Sequence, residues 1–219
     1  MRTKTLVLAV AALTACALTA SAQSNVYSLN IVGYVNTVFK GASAYTLAAN
    51  PLVAPTNDLV SLVGTALPNK SQVVVFDGVN YTTSTKASGS WNTNLALPVG
   101  VGFFVKNSSA TDITNTFVGN VLTGIPGTNS ASVPLGYSLV GSPLPVGGLL
   151  TDTGNNTLNL GGVLANKSQV VIYDNAGAGT YTTATKASGS WNTNLLLSVG
   201  QGFFIKAATA GSNWVQILN

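Results

Sequence analysis

The chain has 219 residues with nine basic residues, five aspartates, and neither histidine nor glutamate. Its one cysteine, Cys16, lies in an apolar leader, so the rest of the chain has no imidazole and no thiol. That excludes Ser-His-Asp and Cys-His nucleophiles, zinc, copper and non-haem iron sites, and disulfides.

Residues 1–22 read as a signal peptide. Arg2 and Lys4 give the positive start, an apolar stretch follows, and Ala20-Ser21-Ala22 is a small-residue cleavage site. The apolar stretch is shorter than the roughly 20 residues that span a bilayer, so no transmembrane span is expected in the mature chain. Leu13-Thr14-Ala15-Cys16 also fits a lipobox, which is a second route to export with a lipid anchor at Cys16. Both routes place the protein outside the cytoplasm, at the cell surface, in the extracellular space or in the periplasm. Without Arg2 and Lys4 the nine basic residues become seven lysines and no arginine. Nucleic-acid binding, which wants a basic stripe, is therefore not expected. Charged residues are 6% of the chain against roughly 25% in an ordinary domain, so Ser, Thr, Asn and Gln must carry the polar surface.

After the leader, Val26 to Phe39 alternates, with Tyr27, Leu29, Ile31, Val35 and Phe39 on one face, and predicts a half-buried strand. Tyr45 to Ala49 is a short strand stopped by Pro51 and Pro55. Asp58 to Ala66 has apolar spacing for one or two helical turns, with Asn57 or Asp58 as N-cap. Gln72 to Phe76 and Tyr81 to Lys86 predict a hairpin around Asp77-Gly78. Strands are then expected over Trp91 to Leu97, Gly102 to Lys106 and Ile113 to Leu122. Gly124 to Asn129, GIPGTN, marks a boundary.

The second part of the chain repeats the first. Tyr81 to Lys106 returns almost unchanged as Tyr181 to Lys206, and Asn69 to Val74 as Asn166 to Val171. Tyr45-Thr46-Leu47 with Pro51-Leu52 returns as Tyr137-Ser138-Leu139 with Pro143-Leu144. The second hairpin tip, Asp174 to Thr180, is three residues longer than Asp77 to Asn80. Thr157 to Leu164 is the glycine-broken counterpart of the helical segment, and Trp214 to Leu218 the last strand. The fold expected is all-β: two tandem homologous small sandwiches or partly open barrels, residues 23–124 and 125–219, each with at most one short helix.

Gln23 to Val35, QSNVYSLNIVGYV, resembles the start of uncharacterised secreted bacterial proteins with a QNVYSxNxVGYV segment after the leader. The repeat resembles the GWNLIS/PGxGFF-type β repeats of bacterial surface proteins, through Tyr45 to Leu47, Val73 to Gly78 and Pro98 to Phe104, although the tryptophan is missing and Ser198 replaces the proline. The resemblance implies an extracytoplasmic role and carries over no catalytic residue.

Gly100-Val101-Gly102 and Gly200-Gln201-Gly202 run into a strand, not a helix, so a tight turn or a close backbone approach explains them better than a phosphate cradle. Asp77 and Asp174 read as turn formers. The KASGSWNTN segments offer the sharper candidates: Lys86, Trp91, Asn92 and Asn94, repeated as Lys186, Trp191, Asn192 and Asn194, form a contact surface if the indoles are exposed. If instead they are buried, each indole covers its own core. No cofactor is implied and no enzyme expected. The leading expectation is an exported structural or self-associating protein. The alternative is a carbohydrate-binding or adhesion protein using KASGSWNTN. An outer-membrane barrel would need more uniform lipid-facing strands.

Overall fold

A computed structural model describes residues 31–122, 128–175, 179–210 and 212–218, with the backbone alone at 128–132. The leader, Cys16 and residues 26–30 of the first expected strand lie outside the described residues. So do residues 124–127 of the expected boundary, while Thr128 and Asn129 already belong to a strand.

The first half contains β1 (Val32–Phe39), β2 (Tyr45–Ala49), β3 (Leu52–Val53), α1 (Leu59–Leu62), β4 (Gln72–Phe76), β5 (Tyr81–Ala87), β6 (Ser90–Trp91), β7 (Gly102–Lys106) and β8 (Ile113–Val121). The second contains β9 (Thr128–Val133), β10 (Gly136–Gly141), β11 (Gly148–Leu149), β12 (Gln169–Tyr173), β13 (Tyr181–Ala187), β14 (Ser190–Trp191), β15 (Leu196–Leu197), β16 (Gly202–Ala207) and β17 (Ser212–Ile217). Each half has one antiparallel five-stranded sheet, β2-β7-β4-β5-β6 or β10-β16-β12-β13-β14, and the duplicated sequence is therefore a duplicated topology. A smaller sheet backs each one, β1-β8-β3 in the first half and β17-β9 in the second. The protein is all-β, with one short helix among the described residues.

Period-two alternation builds the two cores. In β1, Val35 and Phe39 point inward and meet Phe103 and Val105 of β7 and Phe117 of β8. In the second half Val170, Phe203, Ile205 and Trp214 do the same work. Phe103 meets Phe117 edge-on at 6.1 to 6.3 Å between centroids, as Phe203 meets Trp214. The run Gly102-Phe103-Phe104-Val105 is buried on both faces, because its other face forms a third cluster with Leu47, Leu139, Tyr173 and Phe204. This cluster joins the two five-stranded sheets face to face.

The Gly-x-Gly segments lock that arrangement. Ala48 pairs with Gln201, and the equivalent Val140 pairs with Val101. Ala49 N–H donates to Gly200 O and Gly141 N–H to Gly100 O, both at 2.9 Å. Gly100 and Gly200 have φ of +77° and +76°, a region that favours glycine. A Cβ on Gly102 would lie 2.8 Å from Val140 O, and one on Gly202 2.6 Å from Ala48 O. The close approach read from the sequence is thus to the backbone of the opposite half. It also covers the edges of β2 and β10, which would otherwise present unpaired backbone.

Three expectations need correction. Of the expected Trp91 to Leu97 strand, Trp91 alone belongs to a strand, Ser90–Trp91, and Ala96 makes an isolated bridge to Asp58, because the Asn92 and Asn94 side chains accept from the Thr85 and Val60 N–H groups. The helical segment, by contrast, agrees with the expectation: it forms a single turn, with Asp58 as N-cap accepting from Ser61 N–H at 2.8 Å, and its glycine-broken counterpart forms turns only. The last strand is Ser212–Ile217. The strands β3, β9 and β11 lie outside the expected set, whereas β15 repeats the end of the expected Trp91 to Leu97 strand.

Candidate functional site

The KASGSWNTN segments come first, being the residues that the sequence singles out. Ser88 and Gly89 have φ of +50° and +83°, and Ser188 and Gly189 of +49° and +83°. These pairs make the tight turns that fold β6 onto β5 and β14 onto β13. The register sets Lys86 opposite Trp91 and Lys186 opposite Trp191, with each ammonium 5.9 Å from the indole centroid, within cation–π range.

Lys86 is on the inward face with Ser84 and is 7% exposed. Its Nζ donates to Gly64 O and to Leu67 O at 2.7 Å. Lys186 Nζ donates to Gly161 O and Leu164 O, both at 2.8 Å. Carbonyl dipoles therefore replace water around the buried Lys86 ammonium and partner that of the half-buried Lys186.

The amides are engaged as well. Asn92 Oδ1 accepts from Thr85 N–H and the Ser84 hydroxyl, and Asn192 Oδ1 from Thr185 N–H. Asn94 Oδ1 accepts from Val60 N–H, and Asn194 Oδ1 from Thr151 N–H. Both indoles are half-buried against the core of their own half. The eight predicted residues thus meet in two separate clusters of four, each tying a loop of its own half to its sheet.

The acids are dispersed. Asp58 caps α1. Asp77 Oδ1 accepts from Val79 and Asn80 N–H. Asp112 pairs with Lys40 at 2.8 Å and accepts from Gly41 N–H, and Asp152 accepts from Leu149 N–H. At Asp58, Asp77 and Asp112 such bonds favour the charged form. The Ser61 N–H holds Asp58 below the ordinary carboxylate pKa, the Asn80 N–H does so for Asp77, and Lys40 for Asp112. Among the described residues no group of three or more His, Cys, Asp or Glu is placed to hold a metal. No described helix is long and apolar enough to cross a membrane.

A second locus lies between the two five-stranded sheets. The sheets touch along Phe104 and Phe204, whose centroids are 6.0 Å apart, and open on either side into two grooves. One, of about 510 Å³, is lined by Tyr81, Tyr137, Tyr181 and Phe204 with Gln169 and Thr183. The other, of about 330 Å³, is lined by Tyr45, Tyr81, Phe104, Tyr173 and Tyr181 with Gly179.

The grooves are related by the duplication: Tyr137 stands in one where Tyr45 stands in the other, and Phe204 where Phe104 stands. Phe76 packs on Tyr81 at 4.7 Å and its equivalent Tyr173 on Tyr181 at 5.1 Å. Gly179, from the longer hairpin tip, enters only the smaller groove. Burial raises the Tyr173 and Tyr181 phenol pKa above the ordinary value. Sequence reading missed these tyrosines, although a signal exists. Tyr81 and Thr83 alternate with the inward Ser84 and Lys86, which puts them on the face turned away from their own core.

A third feature is the outer face of β1 and β8. Val32, Tyr34, Val38 and Val118 are exposed there, interleaved with Asn36, Thr114, Thr116 and Asn120. Tyr34 is 71% exposed. Comparison with protein-family models, with curated proteins and with solved structures finds no match, so the reading of function rests on these three loci.

Proposed function

We propose that this is an exported, non-enzymatic structural protein that works through non-covalent contact, including contact with its own copies. The observation that carries the reading is the uncharged outer face of β1 and β8, with Tyr34 and three exposed valines on a protein that has 6% charged residues. Exposed apolar side chains gathered with uncharged polar ones on one sheet face suit an interaction face. Sparse charge leaves little repulsion to keep copies apart. The molecule already joins its own two halves by uncharged sheet faces, so a further face-to-face contact asks for no new chemistry. The absence of catalysis is supported by the chain's lack of His and Glu and by the use of Asp58, Asp77, Asp112 and Asp152 in local backbone bonds.

The test is sedimentation velocity of the mature chain over a wide concentration range. Dimers or larger assemblies should form as concentration rises, and Tyr34→Lys with Val118→Lys should return them to monomer. A wild-type chain that stays monomeric up to about 1 mM, where even a weak contact of roughly 4 kcal/mol is populated, overturns the proposal.

A further inference from the structure

We infer that the two aromatic grooves form one binding site for an uncharged glycan chain, with sugar faces stacked on Tyr81 and Tyr181. This goes beyond self-association through β1 and β8 and uses different residues.

Three observations lead there. Tyr81 and Tyr181 are 57% and 54% exposed although they sit beside a packed aromatic cluster, so the interface leaves them free where simple packing would have covered them. The same two rings line both grooves, which makes the grooves adjoining parts of one surface suited to a repeating ligand. The duplication then supplies matched halves of the surface, Tyr137 with Phe204 on one side and Tyr45 with Phe104 on the other.

Charge decides the class of occupant. No Lys or Asp is among the described residues that line either groove, and a phenol is neutral near pH 7 with or without a shift. Lys206 and Lys106 are not among the lining residues but reach two of the lining rings, their ammonium groups 5.2 Å from the Tyr137 and 5.7 Å from the Tyr45 ring centroids. An ionic polymer would lose hydration on entry with no charged side chain in the groove lining itself to replace it. A neutral sugar presents a C–H face to an aromatic ring and hydroxyls at its edge, where Gln169, Thr183 and the phenols can donate and accept. A purely aliphatic chain would leave those polar groups unpaired. Both volumes fall in the range of small-ligand pockets.

The test titrates the full mature chain with neutral hexasaccharides of β-1,4-glucose, β-1,3-glucose, β-1,4-xylose, β-1,4-mannose and β-1,4-N-acetylglucosamine, followed by calorimetry and by NMR shifts of the tyrosine rings. At least one should bind with Kd of about 1 mM or tighter, and its disaccharide at least about tenfold more weakly, as expected for a chain that fills both grooves. Tyr81→Ala and Tyr181→Ala should each weaken binding at least about tenfold, while Tyr34→Lys leaves it unchanged and so separates this site from the β1–β8 face.

Ring shifts in the wild-type protein keep the test valid if a variant fails to fold. The inference is overturned if every hexasaccharide fails to bind at about 10 mM, if binding survives both tyrosine variants, or if ring shifts appear elsewhere. Tighter, salt-sensitive binding of hexagalacturonate, or capture of an aromatic-rich peptide in place of the sugars, also overturns it.

Discussion

The two halves share a sheet order and an almost identical 26-residue block, and differ where that block meets sequence that has diverged. Lys86 and Lys186 both reach loop carbonyls. In the first half, however, the loop carries α1 and the Trp91 N–H is buried without a partner. In the second the loop is all turns, and the Trp191 N–H donates to Gly161 O at 3.2 Å. At the hairpin tips the longer second copy places Asn175 against the edge of β2, its carboxamide bonding both Leu47 N–H and Leu47 O. The duplicated block specifies the scaffold, and the variable loops specify how one half clasps the other.

The clasp should be the most sensitive point. Ala49 and Gly141 are equivalents that face each other, and a Cβ on Gly141 would overlap that of Ala49. Gly141→Ala should cost about 1–3 kcal/mol by overpacking. Adding Ala49→Gly should recover most of it, less about 0.5–1 kcal/mol for the new glycine. Urea unfolding of the four members of this double-mutant cycle checks the coupling. Additive costs would mean that the two halves do not meet at this pair.

Lys86→Met should come next, at about 2 kcal/mol or more, because it leaves Gly64 O and Leu67 O without their donor. Lys186→Met should cost roughly 1 kcal/mol less, since Gly161 O keeps the Trp191 indole as a donor. Equal costs in thermal melts would remove the asymmetry drawn between the two loops.

Much of the scaffold is legible in sequence for a physical reason. β2, β4 and β7 fall on the limits expected from apolar runs bounded by Pro, Gly and Asn, because those residues end strands wherever the chain folds. Trp91 to Leu97 misled because Asn92 and Asn94 sit among β-formers, and only the fold reveals that they bond to backbone distant in sequence. The glycines signal close approach, but whose backbone approaches is a tertiary fact. The buried Lys86 defies the expectation that lysine is a surface residue. The inward parity of Lys86 with Ser84 was the available clue. The aromatic grooves were least legible, since they exist only where the two copies meet.

Asn175→Ala tests the difference between the hairpin tips. Losing both bonds to Leu47 should cost about 1–2 kcal/mol and raise hydrogen exchange at the Leu47 amide, while Asn80→Ala, at the shorter tip, leaves the Leu139 amide unaffected. A smaller contrast separates the indoles. Trp191→Phe breaks a hydrogen bond and Trp91→Phe removes an unsatisfied N–H, so the first should be costlier by about 1 kcal/mol.

The smallest effect is on pH dependence, and it too divides the halves. Asp58, Asp77 and Asp112, whose pKa values are held down by backbone N–H groups and Lys40, all lie in the first half. A carboxyl with a depressed folded pKa contributes stability that is fully present above its unfolded value of about 3.9 and lost as pH falls through the folded value. With no histidine or glutamate in the chain, stability should change little between about pH 5 and 9 and then decline below about pH 4. Asp77 and Asp112 are exposed and Asp58 is half-buried, so solvent screens the effect. Hydrogen exchange at about pH 3 should show the loss first around the α1 cap, the Asp77 turn and the Lys40–Asp112 pair. A decline that began near pH 6, or that opened the β13–β14 turn first, would contradict this assignment.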